Sequence, residues 1–162
     1  MFRTQQLSKE QALQKLKHFC GYQERAHQEV KEKLYGFGLR KQDVEEIISQ
    51  LIEEEYLNEE RFAIQFAGGK FRIKQWGRIK IVQALKQKRV SDYCIARAID
   101  QIEEEQYRQV LQKLATRKWN TLKKETSNFV RVQKTKAYLM QRGFEPGHIN
   151  RVMETSFETI TS

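Results

Sequence analysis

The sequence has little proline, glycine, cysteine or histidine, and it has no long apolar run. One proline and eight glycines stand among 162 residues of which 39% are hydrophobic, so the chain is too apolar for a disordered protein. With 31% charged residues it is also too polar for a membrane protein. The N-terminal stretch MFRTQQLSKEQALQKLKHF contains no apolar segment long enough for a signal peptide or a spanning helix. We therefore expect a soluble, cytoplasmic protein.

Residues that commonly build catalytic or metal sites are few and poorly spaced. Cys20 and Cys94 lie far apart in segments of apolar periodicity, which favours two buried free thiols over a disulfide. His18, His27 and His148 do not share metal-ligand spacing with cysteines or carboxylates. The phosphate-binding patterns GxxxxGK[ST] and GxGxxG do not occur. The sequence thus predicts a protein that is not an enzyme and that holds no metal or cofactor.

Positive charge is concentrated toward the C-terminus. The net charge is +9. Residues 1–57 carry nine Lys and Arg against ten Asp and Glu, residues 58–105 carry ten against seven, and residues 106–162 carry eleven against four. This asymmetry predicts a polyanionic partner, or a protein that works close to one.

Apolar residues recur at three- and four-residue spacing almost throughout, which predicts an all-α fold. Three breaks, at residues 35–39, 86–90 and 140–144, each follow a leucine that ends an amphipathic run. When the breaks are superimposed, at offsets of 51 and 54 residues, the apolar positions of the following helices coincide. We interpret this as an internal repeat. The coinciding sets are Leu39, Val90 and Phe144; Val44, Ile95 and Ile149; Ile47, Ala98 and Val152; and Ile48, Ile99 and Met153.

Each repeat reads as three helices, giving three tandem repeats over residues 8–57, 58–105 and 106–159. Stacking of such small units predicts an elongated, curved array. Acidic runs at 52–56 and 102–106 are expected to end the third helices of repeats one and two, as solvated faces. The predicted helices span 8–21, 26–35 and 41–55 in the first repeat, 59–74, 77–87 and 91–105 in the second, and 106–121, 127–141 and 146–159 in the third.

A strip of basic residues runs from Lys70 to Val90 without an acidic residue, and Trp76 and Gly77 lie within it. Trp76 could stack on a nucleic-acid base. The favoured alternative is a core position between two helices, because Gly77 beside it indicates close packing or a tight turn. The inward-facing residues of this helical hairpin are predicted to be Phe71, Ile73 and Ile79.

A second basic strip lies in the third repeat. Between Tyr107 and Phe144 there are ten basic residues and one acidic residue, Glu125. The positive charges of such a face repel one another unless a polyanion or an acidic protein offsets them. No pattern typical of a base-reading recognition helix is present. The ten are Arg108, Lys113, Arg117, Lys118, Lys123, Lys124, Arg131, Lys134, Lys136 and Arg142.

Three stretches in this order, ERAHQEVKEKLYGFGL, LIEEEYLNEERFA and WGRIKIVQALKQKRV, resemble the RecX family of bacterial recombination regulators. The matching family features are an R-S-x-x-E-[LV]-x-x-K-L helix, a G-Y-[LI]-[ND]-[DE]-x-R-[FY]-A junction and a G-x-x-[RK]-[IL]-x-x-x-L-x-x-[KR]-G-[IV] helix. The resemblance covers residues 8–105 directly and the remainder through the repeat. Ala26, Glu55 and Arg89 depart from the family pattern, which has Ser, Gly and Gly at these positions.

The resemblance implies a non-catalytic array of three-helix repeats that lodges in the groove of the RecA filament on DNA, and we expect this chain to be a monomer. Such proteins inhibit the ATPase, strand-exchange and co-protease activities of RecA, and weak direct DNA binding is compatible with this role. Arg25, Glu29, Phe62 and Ala63 are assigned to the scaffold, with Arg25 paired to a carboxylate. The residues predicted to contact RecA or DNA are Lys70, Lys74, Arg78, Lys86, Lys88, Arg89, Lys118, Lys123, Lys124, Arg131 and Lys134.

Two other functions remain open at the level of the residues. A stand-alone helical protein could bind DNA or RNA through its basic faces, with a steep salt dependence. A helical scaffold could instead dock an unrelated acidic protein on the same faces. Affinity for a RecA–DNA filament, for RecA alone and for bare DNA separates the three hypotheses.

Overall fold

The computed structural model describes residues 6–158, which form nine α-helices and a final π-helical turn, with no β-strand among them. The predicted all-α fold is confirmed. None of the helices in this range is long and apolar enough to cross a membrane. The helices are α1 Lys9–Tyr22, α2 His27–Gly36, α3 Lys41–Glu53, α4 Glu59–Arg72, α5 Arg78–Gln87, α6 Asp92–Asp100, α7 Glu104–Thr121, α8 Asn128–Gln141 and α9 Pro146–Met153, and the π-helical turn is Glu154–Glu158.

The third helix of each repeat buries one of the matching apolar positions from which the repeat was predicted. Val44 on α3, Ile95 on α6 and Ile149 on α9 are at most 5% exposed. Because one helix face must be apolar to pack against the two preceding helices, the same spacing recurs in each repeat. The repeat seen in the sequence is therefore a repeat of the fold.

The three predicted breaks share one backbone feature, a residue with positive φ. Gly38 has φ of 80°, Arg89 of 59° and Gly143 of 97°. The left-handed conformation ends a helix by turning the next amide back onto the last turn, as the amide of Val90 does onto the carbonyl of Leu85 at 3.1 Å. Arg89 adopts this conformation although it carries a Cβ atom. It occupies the position at which its repeat ends a helix, where the other two repeats have Gly38 and Gly143.

The boundary between α6 and α7 differs from the prediction by five residues, and α3 and α4 each end two residues earlier than predicted, at Glu53 and Arg72. Helix α6 ends at Asp100, and the acidic run at 102–106 begins α7 rather than ending α6. Glu104 and Glu105 lie in the first turn of α7, where the positive end of the helix dipole favours carboxylates. The predicted boundary between residues 105 and 106 thus falls inside α7. Residue 159, the predicted end of the last helix, lies outside the described range.

The chain divides into two compact units. The first comprises the residues up to Phe66 together with Leu85–Ala98, and the second comprises Ala67–Ala84 together with the residues from Ile99 on. The predicted second repeat, 58–105, therefore contributes residues to both units. Its definition as a separate domain, like that of the other two repeats, stays a prediction.

Each unit has its own core. In the first, Leu16, Leu34 and Ile47 from α1, α2 and α3 are fully buried together. Cys20 and Cys94 are buried in this unit as free thiols, which confirms that prediction, and burial raises the pKa of Cys20 to about 11. In the second unit the core centres on aromatic rings, with Tyr107 stacked on Phe71 at a centroid distance of 5.8 Å and tilted against Phe144 at 5.2 Å.

Candidate partner-binding surface

Trp76 lies half-buried in the second unit, between two lysine side chains. The Nζ atom of Lys70 is 4.9 Å from its ring centroid and that of Lys80 is 4.6 Å away. Cations at this distance are attracted to the negative face of the ring. Trp76 is therefore only in part the core residue that was predicted, and its ring holds two basic side chains in place.

Gly77 is closely packed against another backbone segment, as its position beside Trp76 predicted. A Cβ atom at this position would lie 2.3 Å from the carbonyl carbon and oxygen of Gly143 and 2.4 Å from the amide nitrogen of Phe144. The two backbones are hydrogen-bonded, from the Gly77 amide to the Arg142 carbonyl at 2.8 Å and from the Ile79 amide to the Gly143 carbonyl at 3.0 Å. The start of α5 is thus joined to the break between α8 and α9.

Two of the three predicted inward-facing residues are wrong. Phe71 is buried, but Ile73 is 79% exposed and Ile79 is 40% exposed. Helix α4 ends at Arg72, so Ile73 lies beyond the helical face that would have turned it inward. In α5 the buried stripe includes Ile81 instead, two residues further along and therefore on the opposite side of the helix from Ile79.

Arg78 is occupied inside the second unit. Its Nη2 atom lies 2.5 Å from Oε2 of Glu104 and its Nη1 atom lies 3.0 Å from Oε2 of Glu145. Its guanidinium lies over the ring of Tyr107, 3.8 Å from the centroid, and its side chain is only 17% exposed. A partner contact through Arg78 would therefore compete with two ion pairs inside the unit.

The groups around Arg78 form one hydrogen-bonded network. Tyr107 donates its hydroxyl to Glu145 and accepts the backbone amide of Arg78 at 3.0 Å, and burial raises the pKa of this phenol. His148 Nε2 lies 2.9 Å from Oε1 of Glu104. Hydrogen bonds from His148 and Arg78 lower the pKa of Glu104 to about 2. The network links α5, α7 and α9 and is structural in character.

The other predicted contacts of the second repeat fall into two groups. Lys74, Lys86 and Arg89 have exposed side chains. Lys88 is half-buried, with its Nζ atom 3.9 Å from Glu29 and 5.7 Å from the ring centroid of Phe66. Exposure leaves the first three available to a partner, while Lys88 has intramolecular contacts.

The third repeat contains a similar division. Lys123 and Lys124 are exposed in the turn after α7. Lys134 pairs with Glu125 at 2.9 Å, and its hydrogen bond lowers the pKa of that carboxyl. Lys118 lies over the ring of Tyr138 at 5.2 Å. The lysine pair at 123 and 124 is therefore the most accessible part of the predicted third-repeat contact.

Two arginines have structural contacts that the sequence did not predict, although Arg25 was assigned to the scaffold. The guanidinium of Arg131 lies 3.9 Å from the ring centroid of Trp119 and donates to the Trp119 carbonyl, at 2.8 Å from Nη2. In the same manner Arg25 lies 3.7 Å from the ring centroid of Phe19 and donates to the Phe19 carbonyl at 3.0 Å. Arg25 thus makes a cation–aromatic contact and a backbone hydrogen bond at its joint, where a carboxylate pair had been predicted. An aromatic residue near the end of one helix with an arginine at the start of the next is the signal that could have identified this joint.

The scaffold assignment of the junction motif agrees with the structure. Phe62 and Ala63 are buried, as predicted. Arg61 donates to Asn58, Glu55 and Glu24 groups through its backbone and side chain, and so ties α4 to the preceding turn. The junction motif at residues 61–63 therefore has a structural function.

Comparison with known proteins gives concordant results. The family model for the second three-helix domain of RecX matches residues 58–99, and that for the third three-helix domain matches residues 104–153. The chain is 30% identical over 137 residues to a regulatory protein RecX of Oceanobacillus iheyensis, covering 85% of this chain and 50% of that protein. It is 29% identical over 130 residues to one of Clostridium perfringens, covering 80% and 60%. The chain thus spans half to three fifths of the length of these relatives.

Solved structures show the same fold. The crystal structure of RecX from Lactobacillus salivarius aligns with a TM-score of 0.84 at 20% identity, covering 91% of this chain and 95% of that one. A second crystal structure of a regulatory protein RecX aligns with a TM-score of 0.81 at 20% identity, covering 90% and 71%. At this identity the likeness establishes the arrangement of helices.

Proposed function

Because this chain belongs to the RecX family of regulatory proteins, we propose that it binds the RecA filament on DNA and inhibits the ATPase, strand-exchange and co-protease activities of RecA. It acts by binding and not by catalysis, as a cytoplasmic monomer, and so limits recombination and DNA repair. Among the described residues no three His, Cys, Asp or Glu side chains are grouped to hold a metal ion.

One observation carries the proposal. Every residue predicted to contact RecA or DNA lies within 58–99 or 104–153, the two segments that match RecX three-helix domains. Among these residues Lys74, Lys86 and Arg89 expose their charges. Cations held on a rigid helical scaffold are suited to a filament that carries DNA phosphates and acidic side chains.

The test is inhibition of the DNA-dependent ATPase of RecA by charge-reversal variants. Lys74→Glu combined with Lys86→Glu removes two exposed cations and adds repulsion toward an acidic surface. Each exposed pair contributes about 0.2–1 kcal/mol, so we expect the half-inhibitory concentration to rise about tenfold, equivalent to about 1.4 kcal/mol. Helical content measured by circular dichroism should stay unchanged.

The matched control reverses Lys31 and Lys41, which are exposed on α2 and α3 of the first repeat and change the net charge equally. This control should inhibit as the wild type does. Equal loss of inhibition in both variants would attribute the effect to net charge, and undiminished inhibition by the Lys74 and Lys86 variant would remove these residues from the interface.

A second candidate function, stand-alone nucleic-acid binding, is favoured by the half-buried ring of Trp76 between Lys70 and Lys80. Titration at fixed salt against RecA filament on DNA, RecA alone and bare DNA distinguishes the two. Tightest binding to the filament supports the first proposal, whereas equal affinity for bare DNA supports the second.

A further inference from the structure

A groove of about 860 Å³ lies along α7 in the second unit. One side is formed by α7, and the other by α9 and the turn that follows it. Ser156 in that turn donates to Oε1 of Gln112 at 2.9 Å, which ties the second side to α7. Val152, which is partly buried, contributes apolar surface to the base, and Leu111 lies fully buried beneath it. The groove is thus a formed feature with an apolar base.

The rim of this groove carries positive charge. Arg108, Lys113 and Arg117 line it from α7, and Arg151 lines it from α9, whereas Glu105 is the only carboxylate of the lining. Arg108 is paired with Glu104 at 3.4 Å. Within the described part of the chain, Lys113, Arg117 and Arg151 have no carboxylate within ion-pair distance. Three cations around an apolar base are left without a counter-charge.

We propose that this groove docks an acidic amphipathic helix of a protein partner. An apolar stripe on such a helix would cover Val152 and the apolar base around it, while carboxylates on its flanks reach the rim cations. Arg108 and Arg117 are nine positions apart, so the rim on α7 extends about 14 Å, the length of between two and three helical turns. The inference goes beyond the proposed function because it identifies a site and a ligand class that do not depend on RecA.

The lining favours a protein helix over a nucleic acid. A single strand binds through aromatic rings on which its bases stack, and no Phe, Tyr or Trp is among the side chains that line this groove. An apolar stripe flanked by carboxylates satisfies the base and the rim together.

The experiment measures binding of a fluorescein-labelled synthetic peptide to the full chain by anisotropy. The peptide is a helix with leucines at i, i+3, i+4 and i+7 spacing and glutamates on both flanks. The groove variant combines Lys113→Glu with Arg117→Glu. Its matched control combines Lys31→Glu with Lys41→Glu, which reverses two exposed lysines outside the groove and outside the predicted partner contacts.

We expect the groove variant to weaken peptide binding about tenfold or more, and the control to change it less than about twofold. Val152→Gln, which alters the base without changing charge, should also weaken binding. A peptide of the same composition in scrambled order should bind worse, because it lacks the stripe. Circular dichroism verifies folding, and Arg117→Ala replaces the double variant if helical content falls.

Three results would overturn the proposal: equal peptide binding by groove variant and control, equal binding of the scrambled peptide, or no peptide binding by the wild type. If the groove variant instead loses affinity for fluorescein-labelled oligo(dT) and keeps the peptide, the groove is a nucleic-acid site. No RecA is present in the peptide experiment, so a negative result in it does not affect the ATPase test of the proposed function.

Discussion

Gly77→Ala is predicted to be severely destabilising, although alanine is the smallest possible addition. The new Cβ atom would lie 2.3 Å from two backbone atoms of Gly143 and 2.4 Å from the amide nitrogen of Phe144. Backbone atoms cannot rotate away as a flexible side chain does, so the two segments must separate. Gly77 does not have positive φ. The predicted cost is therefore steric and owes nothing to backbone strain.

The magnitude follows from what separation breaks. Ordinary contact requires the segments to move apart by about 1 Å, which takes the Gly77–Arg142 bond at 2.8 Å and the Ile79–Gly143 bond at 3.0 Å beyond hydrogen-bonding range. A buried group left without its partner costs about 1–3 kcal/mol. Two lost bonds together give about 3 kcal/mol of destabilisation, out of a total near 5–15 kcal/mol for a domain.

The assay is urea unfolding followed by far-ultraviolet circular dichroism, with Gly69→Ala as the matched control. Gly69 lies in the interior of α4, and a Cβ atom there would meet nothing within 4 Å. Alanine is the better helix former by about 0.8–1.0 kcal/mol, so the control should be stabilised. The reasoning is refuted if Gly77→Ala unfolds within about 1 kcal/mol of the wild type, or if both variants shift in the same direction.

Two further predictions concern strain and pH. Arg89→Gly should stabilise the protein by about 1 kcal/mol, because Arg89 holds φ of 59° where glycine meets no Cβ clash; a melting temperature equal to or below that of the wild type would contradict this. Glu104, whose pKa is lowered from 4.5 to about 2, contributes stability that is present above pH 4.5 and lost as pH falls toward 2. Since this side chain is 47% exposed, solvent screening reduces the contribution to about 1 kcal/mol. Glu104→Gln should therefore destabilise the protein at neutral pH, and the difference should shrink in acid; a pH-independent difference would exclude the ion pairs as its source.

Helix positions were largely predictable because helical structure is local. Hydrogen bonds four residues apart impose a spacing on apolar residues that can be read directly from the chain. The breaks near Gly38, Arg89 and Gly143 were found in this way, and in the structure each contains a left-handed residue. The error at α7 arose because the acidic run at 102–106 suits a helix start, through the dipole, as well as a solvated helix face.

The candidate surface was less predictable, because charge alone does not show which cations are already paired. Arg78 and Lys74 are alike in sequence context, yet Arg78 lies in an internal network while Lys74 is exposed. Arg131 was predicted as a partner contact, and its intramolecular contact with the ring and carbonyl of Trp119 was not predicted. Arg117 belonged to the recognised basic strip without being singled out, and its place on the groove rim emerged from the helix packing.

By itself the sequence determined the all-α class, the repeated helix pattern, the position of Gly77 as a packed joint and the resemblance to RecX. Only the tertiary structure decided which charges face outward. The partners of Arg78, Glu104 and Glu145, are 26 and 67 positions away along the chain. Residues this far apart in the sequence come into contact only when the helices pack, so local residue spacing cannot predict the contact. The same packing produced the groove along α7, whose exposed cations and buried leucine come from separate faces of one helix.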